Sequence, residues 1–170
     1  GYDVSTAVSD WVWRQQEFDA LELLGGYHRF EEDSNTLQLA RYHSSAVAGL
    51  DLPVVGVSDS HGCENSDLFG CFQTLAFAEE RSYASIANSI RQRYSVAVEA
   101  LPGESVRAFG DFRLVEYALF LLREVLPEHD ELCREEAAWM LRHLEKDPRA
   151  PGMLGLLQGR VDALYRRWWA

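Results

Sequence analysis

The clearest pattern along the chain is the run Leu52-Pro53-Val54-Val55-Gly56-Val57, which is apolar and β-branched with no polar alternation. Such a run predicts a strand covered on both faces. Upstream, the stretch from Phe18 to Leu24 is a short apolar run stopped by Gly25-Gly26, and it predicts a second buried strand. Between them lies a helical pattern that Ser34 or Asn35 can cap. It carries Leu37, Ala40 and Ala46-Val47 on one side and ends at Gly49, where a glycine suits the residue after a helix. Residues 18 to 57 therefore read strand, helix, strand, the βαβ unit that implies a parallel pair. A helix from about Ser5 to Gln16, bearing Trp11 and Trp13, precedes it.

A loop rich in Gly, Asn, Ser and Asp runs from Ser58 to Gly70, followed by strand patterns at Cys71 to Ala78 and Ser95 to Ala100. A helix from Tyr83 to about Arg93, capped by Ser82, joins them. After Phe109-Gly110 the periodicity becomes helical, over Phe112 to Leu126, Asp130 to Leu144 and Gly152 to Trp169. Pro127 and Asp147-Pro148 read as the breaks. Asp130 reads as an N-cap, with Glu135 and Glu136 in the first turns beyond it. Tyr117, Phe120, Leu121 and Leu122 with Trp139, Met140, Leu141 and Leu144 read as two facing helix stripes. The expected organisation is an α/β region over residues 1–108 and a helical region over 109–170 packed on it.

Composition narrows the function classes. At 170 residues, 47% hydrophobic and 25% charged, the chain suits one globular domain with a core of its own. No apolar run reaches the roughly 20 residues of a membrane span, and the opening Gly1-Tyr2-Asp3 shows no secretory signal. It also lacks an initiator Met, so the natural protein is expected to extend upstream. The net charge of −11, with Arg160, Arg166 and Arg167 as the main basic cluster, disfavours a nucleic-acid partner. Cys63, Cys71 and Cys133 are an odd number without paired spacing. They predict neither disulfides nor a structural zinc knuckle, and a reducing cytoplasm is the default.

Candidate chemistry concentrates just past the second strand, in Ser58-Asp59-Ser60-His61-Gly62. Loops at the C-terminal ends of parallel strands are where α/β folds place ligands. On an extended segment, Asp59 and His61 would project to the same side and could meet one cation. A carboxylate with an imidazole suits Zn, Mn or Fe better than Ca. Ser58 could orient these ligands. The same tripeptide also reads as a solvated turn, and two ligands are fewer than zinc takes. Glu22 and His28, near the end of the first strand, are candidates for a supporting or substrate contact. His43, Cys63 and the acidic stretch around His129 read more simply as surface or packing residues.

The run PVVGVSDSHG, preceded by DALELLGG and a helix, resembles the C-terminal part of the polymerase and histidinol phosphatase (PHP) superfamily. The resemblance covers about residues 18 to 65. It implies a distorted β/α barrel that hydrolyses phosphate esters with a small cluster of divalent metals, of which Asp59 and His61 would be ligands. It also implies a phosphate-ester small molecule or nucleotide as substrate. The family's opening His-x-His is absent, because the five histidines are His28, His43, His61, His129 and His143. The chain thus resembles the back half of such a barrel, contributes no catalytic residue of its own beyond metal ligands, and alone is expected to be inactive, whether metal-bound or metal-free. The competing expectation is a non-catalytic interaction module, and a homodimer is one way to cover an open parallel edge.

Overall fold

The computed structural model describes residues 7–26, 34–60, 68 and 70–169. Helix α1 spans Ala7–Gln15, followed by strand β1 (Leu21–Gly25), helix α2 (Ser34–Val47) and strand β2 (Val54–Val57). β1 and β2 pair in parallel, with Leu21 opposite Val54 and Gly25 opposite Val57, so the βαβ unit forms as the apolar runs predict. The register slips between Glu22 and Leu24, and this irregularity lets the consecutive Leu23 and Leu24 both be buried.

The other edge of β1 is occupied by amides of α2. The Asn35 side chain accepts from Gly25 N–H at 3.3 Å and donates to its carbonyl at 3.2 Å, and Gln38 Nε2 donates to the Glu22 carbonyl. Side-chain amides thus take the place of a third strand there. α1 is tied to α2 by the Asp10–Arg41 ion pair and by the Arg41 guanidinium, 5.4 Å from the centre of the buried Trp13 ring.

Strands β3 (Phe72–Ala76), β4 (Ser95–Glu99) and β5 (Arg107–Gly110) form a separate sheet in that order, and every pairing in it is antiparallel. This corrects the expectation of continued parallel β/α units. Helix α3 (Tyr83–Arg91), with Ser82 accepting from Ser85 N–H as its N-cap, links β3 to β4 but does not carry the chain across the sheet. Arg93 adopts a φ of 67°, and Tyr94 returns beside Phe77, whose N–H donates to the Tyr94 carbonyl at 2.8 Å. The result is a hairpin with a helix in its turn. β5, too short to show a pattern in sequence, completes the sheet.

Directly opposed residues of antiparallel strands share a face. One face of this sheet therefore carries Phe72, Thr74, Ala76, Ser95, Ala97, Glu99, Arg107 and Phe109. β2 lies against it. Thr74 Oγ1 accepts from Gly56 N–H at 3.0 Å and donates to the Gly56 carbonyl at 2.9 Å, while Ser95 Oγ donates to the Val54 carbonyl at 2.8 Å. A Cβ on Gly56 would stand 2.6 Å from the Gln73 carbonyl oxygen, so only glycine allows the approach. Around this contact Leu23, Leu24, Leu39, Val54, Leu68, Cys71, Phe72 and Ala97 form one core.

After β5 the chain is helical: α4 (Phe112–Phe120), a π-helical turn at Leu121–Val125, α5 (Leu126–Leu144), α6 (Ala150–Leu157) and α7 (Arg160–Trp169). The chain divides into two compact units after Ala118, within α4, because β5 belongs to the first. Pro127 does not stop a helix. It occupies the first turn of α5, where its missing N–H costs no bond. Asp130, Glu135 and Glu136 consequently lie inside α5 and not at its start. The real stop is at Lys146, with a φ of 64°, and Gly159, at 76°, divides the expected last helix in two.

In this second unit Leu132, Val125, Ala150, Leu157 and Leu164 are buried. Phe120 packs edge-on to Trp168 at 5.4 Å, while Met140, Leu141 and Leu144 are exposed, so these three do not form the buried stripe expected of them. Among the described residues no helix is long and apolar enough to cross a membrane.

Gly56→Ala is expected to lower unfolding free energy by about 1–3 kcal/mol through overpacking against the Gln73 backbone. Urea unfolding checks this, and an unchanged midpoint would show that the strands are not in contact there.

Candidate functional site

Because β1 and β2 are parallel, their C-terminal ends emerge side by side. Gly26 N–H donates to the Val57 carbonyl at 2.9 Å. A Cβ at Gly26 would stand 1.8 Å from the Ser58 carbonyl oxygen, so the chain leaving β1 presses directly on the start of the Ser58 loop. Ser60 N–H donates to Ser58 Oγ at 3.3 Å, a hydroxyl-closed turn, and Asp59 at its apex is exposed with a φ of 50°.

This turn corrects one step of the sequence reading. Asp59 does not lie on extended backbone, so strand alternation does not decide which way the residues after it project. An aspartate tolerates the left-handed conformation better than most residues do. His61 and His28, together with Cys63, Glu64, Asn65 and Asp67, lie outside the described residues. Glu22 is exposed and sits at the second position of β1, opposite Val55. It is therefore three residues short of Gly25, about 10 Å along the strand from the loop end. Thr74 is engaged by Gly56 and does not line the loop.

No group of three or more His, Cys, Asp or Glu side chains converges among the described residues. Asp59 is the one described carboxylate on the loop. Alone it does not make a cation site, so a metal here needs further ligands.

Two charged residues at the same end of the fold escaped the sequence reading. Glu99, the last residue of β4, is 2% exposed, and its Oε1 accepts from Arg107 Nε at 2.6 Å, with Nη2 2.5 Å away in the ion pair. A charged residue closing the apolar run Ser95–Glu99 was the available signal for Glu99. Arg107 had none, because its strand was not legible.

The opposite end of the strands holds two clefts of about 650 and 550 Å³ that share Asp51, Leu52, Gln92, Arg93 and Tyr94. Arg93 pairs with Asp51, and Arg91 pairs with Asp19 through Nε at 2.7 Å and Nη2 at 3.3 Å. The Arg91 hydrogen bonds hold the Asp19 carboxyl below its usual range. These arginines are thus already neutralised. Tyr42 lines the second cleft, and burial pushes its hydroxyl above the ordinary value, with Arg93 opposing.

No family model, no curated protein and no solved structure matches the chain.

Tyr42 yields a pH test. Its folded value lies above the ordinary 10.0, so the unfolded chain ionises first as pH rises. The contribution is complete below 10.0 and is lost as pH climbs towards the folded value. Urea midpoints of the wild type should fall more steeply above that pH than those of Tyr42→Phe, and parallel profiles would contradict the assignment.

Proposed function

We propose that the chain is the C-terminal portion of a PHP-like metal-dependent phosphoesterase, in which Asp59 and His61 contribute to a metal cluster completed by residues outside this chain. The observation that carries the reading is the pairing of strand ends. Gly26 and Ser58 are pressed together at the C-terminal edge of a parallel βαβ unit, with the exposed Asp59 at the apex of the turn that follows. A rigid strand pair presenting a carboxylate on a tight loop is a suitable support for a ligand arm. Zn, Mn or Fe fits the donor types, and a phosphate-ester small molecule or nucleotide is the substrate class. The ligand set is incomplete in this chain, so it binds metal weakly through Asp59 and His61, the chain alone is inactive in this reading, and we assign it no catalytic residue.

A second reading is favoured by a different observation. Met140, Leu141 and Leu144 are exposed at 56%, 63% and 77% on one stretch of α5, as a module acting through protein contacts would require.

Titrating Mn²⁺ into isotope-labelled chain separates the two. Paramagnetic broadening should concentrate on the amides of Gly26, Ser58 and Ser60 and vanish in Asp59→Ala. Broadening that is absent, or that survives the substitution, would overturn the ligand assignment and leave the interaction module.

A further inference from the structure

We infer that Arg107, held in place by the buried Glu99 carboxylate, recognises the phosphate of the ester. This rests on the phosphoesterase reading and adds to it a residue and a ligand chemistry.

The placement follows from register. Ser95 Oγ reaches the Val54 carbonyl, and two residues further along β2 a Cβ on Gly56 would stand 3.2 Å from Val98 N. β2 and β4 therefore advance in the same direction across their contact. The next residues on each, Val57–Ser58 and Glu99–Ala100, come at the same level, since both strands rise about 3.3 Å per residue. Ser95, Ala97 and Glu99 share the face that packs on β2, and Arg107 stands directly opposite Glu99. The Glu99–Arg107 pair is thus at the end of the sheets where Ser58 and Asp59 emerge.

The chemistry of the pair points outward. Glu99 is almost fully enclosed, whereas the Arg107 side chain remains 43% exposed. Of the five guanidinium N–H groups, Nε–H is spent on Glu99 Oε1, and Nη2 lies beside the same oxygen in the ion pair. The four hydrogens on Nη1 and Nη2 donate no hydrogen bond among the described residues, and two of them form the fork that matches a phosphate bidentately. A carboxylate sealed in a strand contributes little to stability that an apolar side chain of similar size would not. Its effect here is to fix the guanidinium plane and fill one edge of it, leaving the other edge for an anion. The ester's negative charge would then meet a preset donor pair and not a mobile side chain.

Inorganic phosphate, titrated into chain held metal-free with EDTA, tests this through the Arg107 Nε–Hε NMR signal. A saturable shift is expected in the wild type and in Asp59→Ala. In Arg107→Lys, which keeps the charge facing Glu99 but loses the fork, phosphate followed through the neighbouring amides should bind about tenfold more weakly. Glu99→Gln should weaken it in the same direction while preserving the fold. Equal affinity in wild type and Arg107→Lys, or no shift at Arg107, would overturn the inference, and the Mn²⁺ broadening at Ser58 would still stand. A phosphate response at Arg107 without that broadening supports the anion contact and counts against the metal reading alone.

Discussion

The Thr74 hydroxyl satisfies both backbone groups of Gly56, and most of the first unit depends on that contact. Among the described residues β2 has β1 on one side and no strand on the other, so its N–H and C=O groups on that side need partners from elsewhere. A side chain from the antiparallel sheet supplies them, with Ser95 doing the same for Val54. This works only because Gly56 has no Cβ to keep the backbones apart. Two small sheets of opposite kind are thereby joined without a shared ladder. A second glycine contact, Gly26 on Ser58, then fixes the loop that leaves β2.

The parts of this fold that were legible in sequence are those where burial leaves a periodic or bounded run. Val54–Val57 and Leu21–Gly25 read as strands and form, although Glu22 and Val57 are exposed and neither strand is covered throughout on both faces, and Ser82 announces α3 by its capping geometry. Strand direction was not legible. A helix between two strands is equally compatible with a crossover and with a hairpin, and here the left-handed Arg93 decides for the hairpin. Arg107–Gly110 is four residues long and has no alternation to show. Pro127 misled because proline is tolerated at the start of a helix as readily as it ends one, and only the π-helical turn before it separates the cases.

The candidate site divides along the same line. Asp59 was legible as a ligand type just past a buried strand, but its left-handed backbone was not, since the tripeptide is equally compatible with extended geometry. The Glu99–Arg107 pair requires knowing that β5 lies opposite β4, which is a tertiary fact. What emerges is an end of the fold where three strands terminate together: Gly25, Val57 and Glu99. It carries an exposed carboxylate at a turn and a partly exposed arginine paired with a buried carboxylate. The arginine pairs at the other end differ in resting on exposed carboxylates, Asp19 and Asp51, where Arg107 rests on a buried one.

The central claim is that the loop after β2 is one arm of a metal site. X-ray absorption at the zinc edge, on chain carrying one equivalent of Zn²⁺, tests it most directly. The account predicts a single imidazole shell with light oxygen donors, the imidazole contribution disappearing in His61→Ala. Zinc surrounded by oxygen alone, or an imidazole shell unchanged by that substitution, would contradict it.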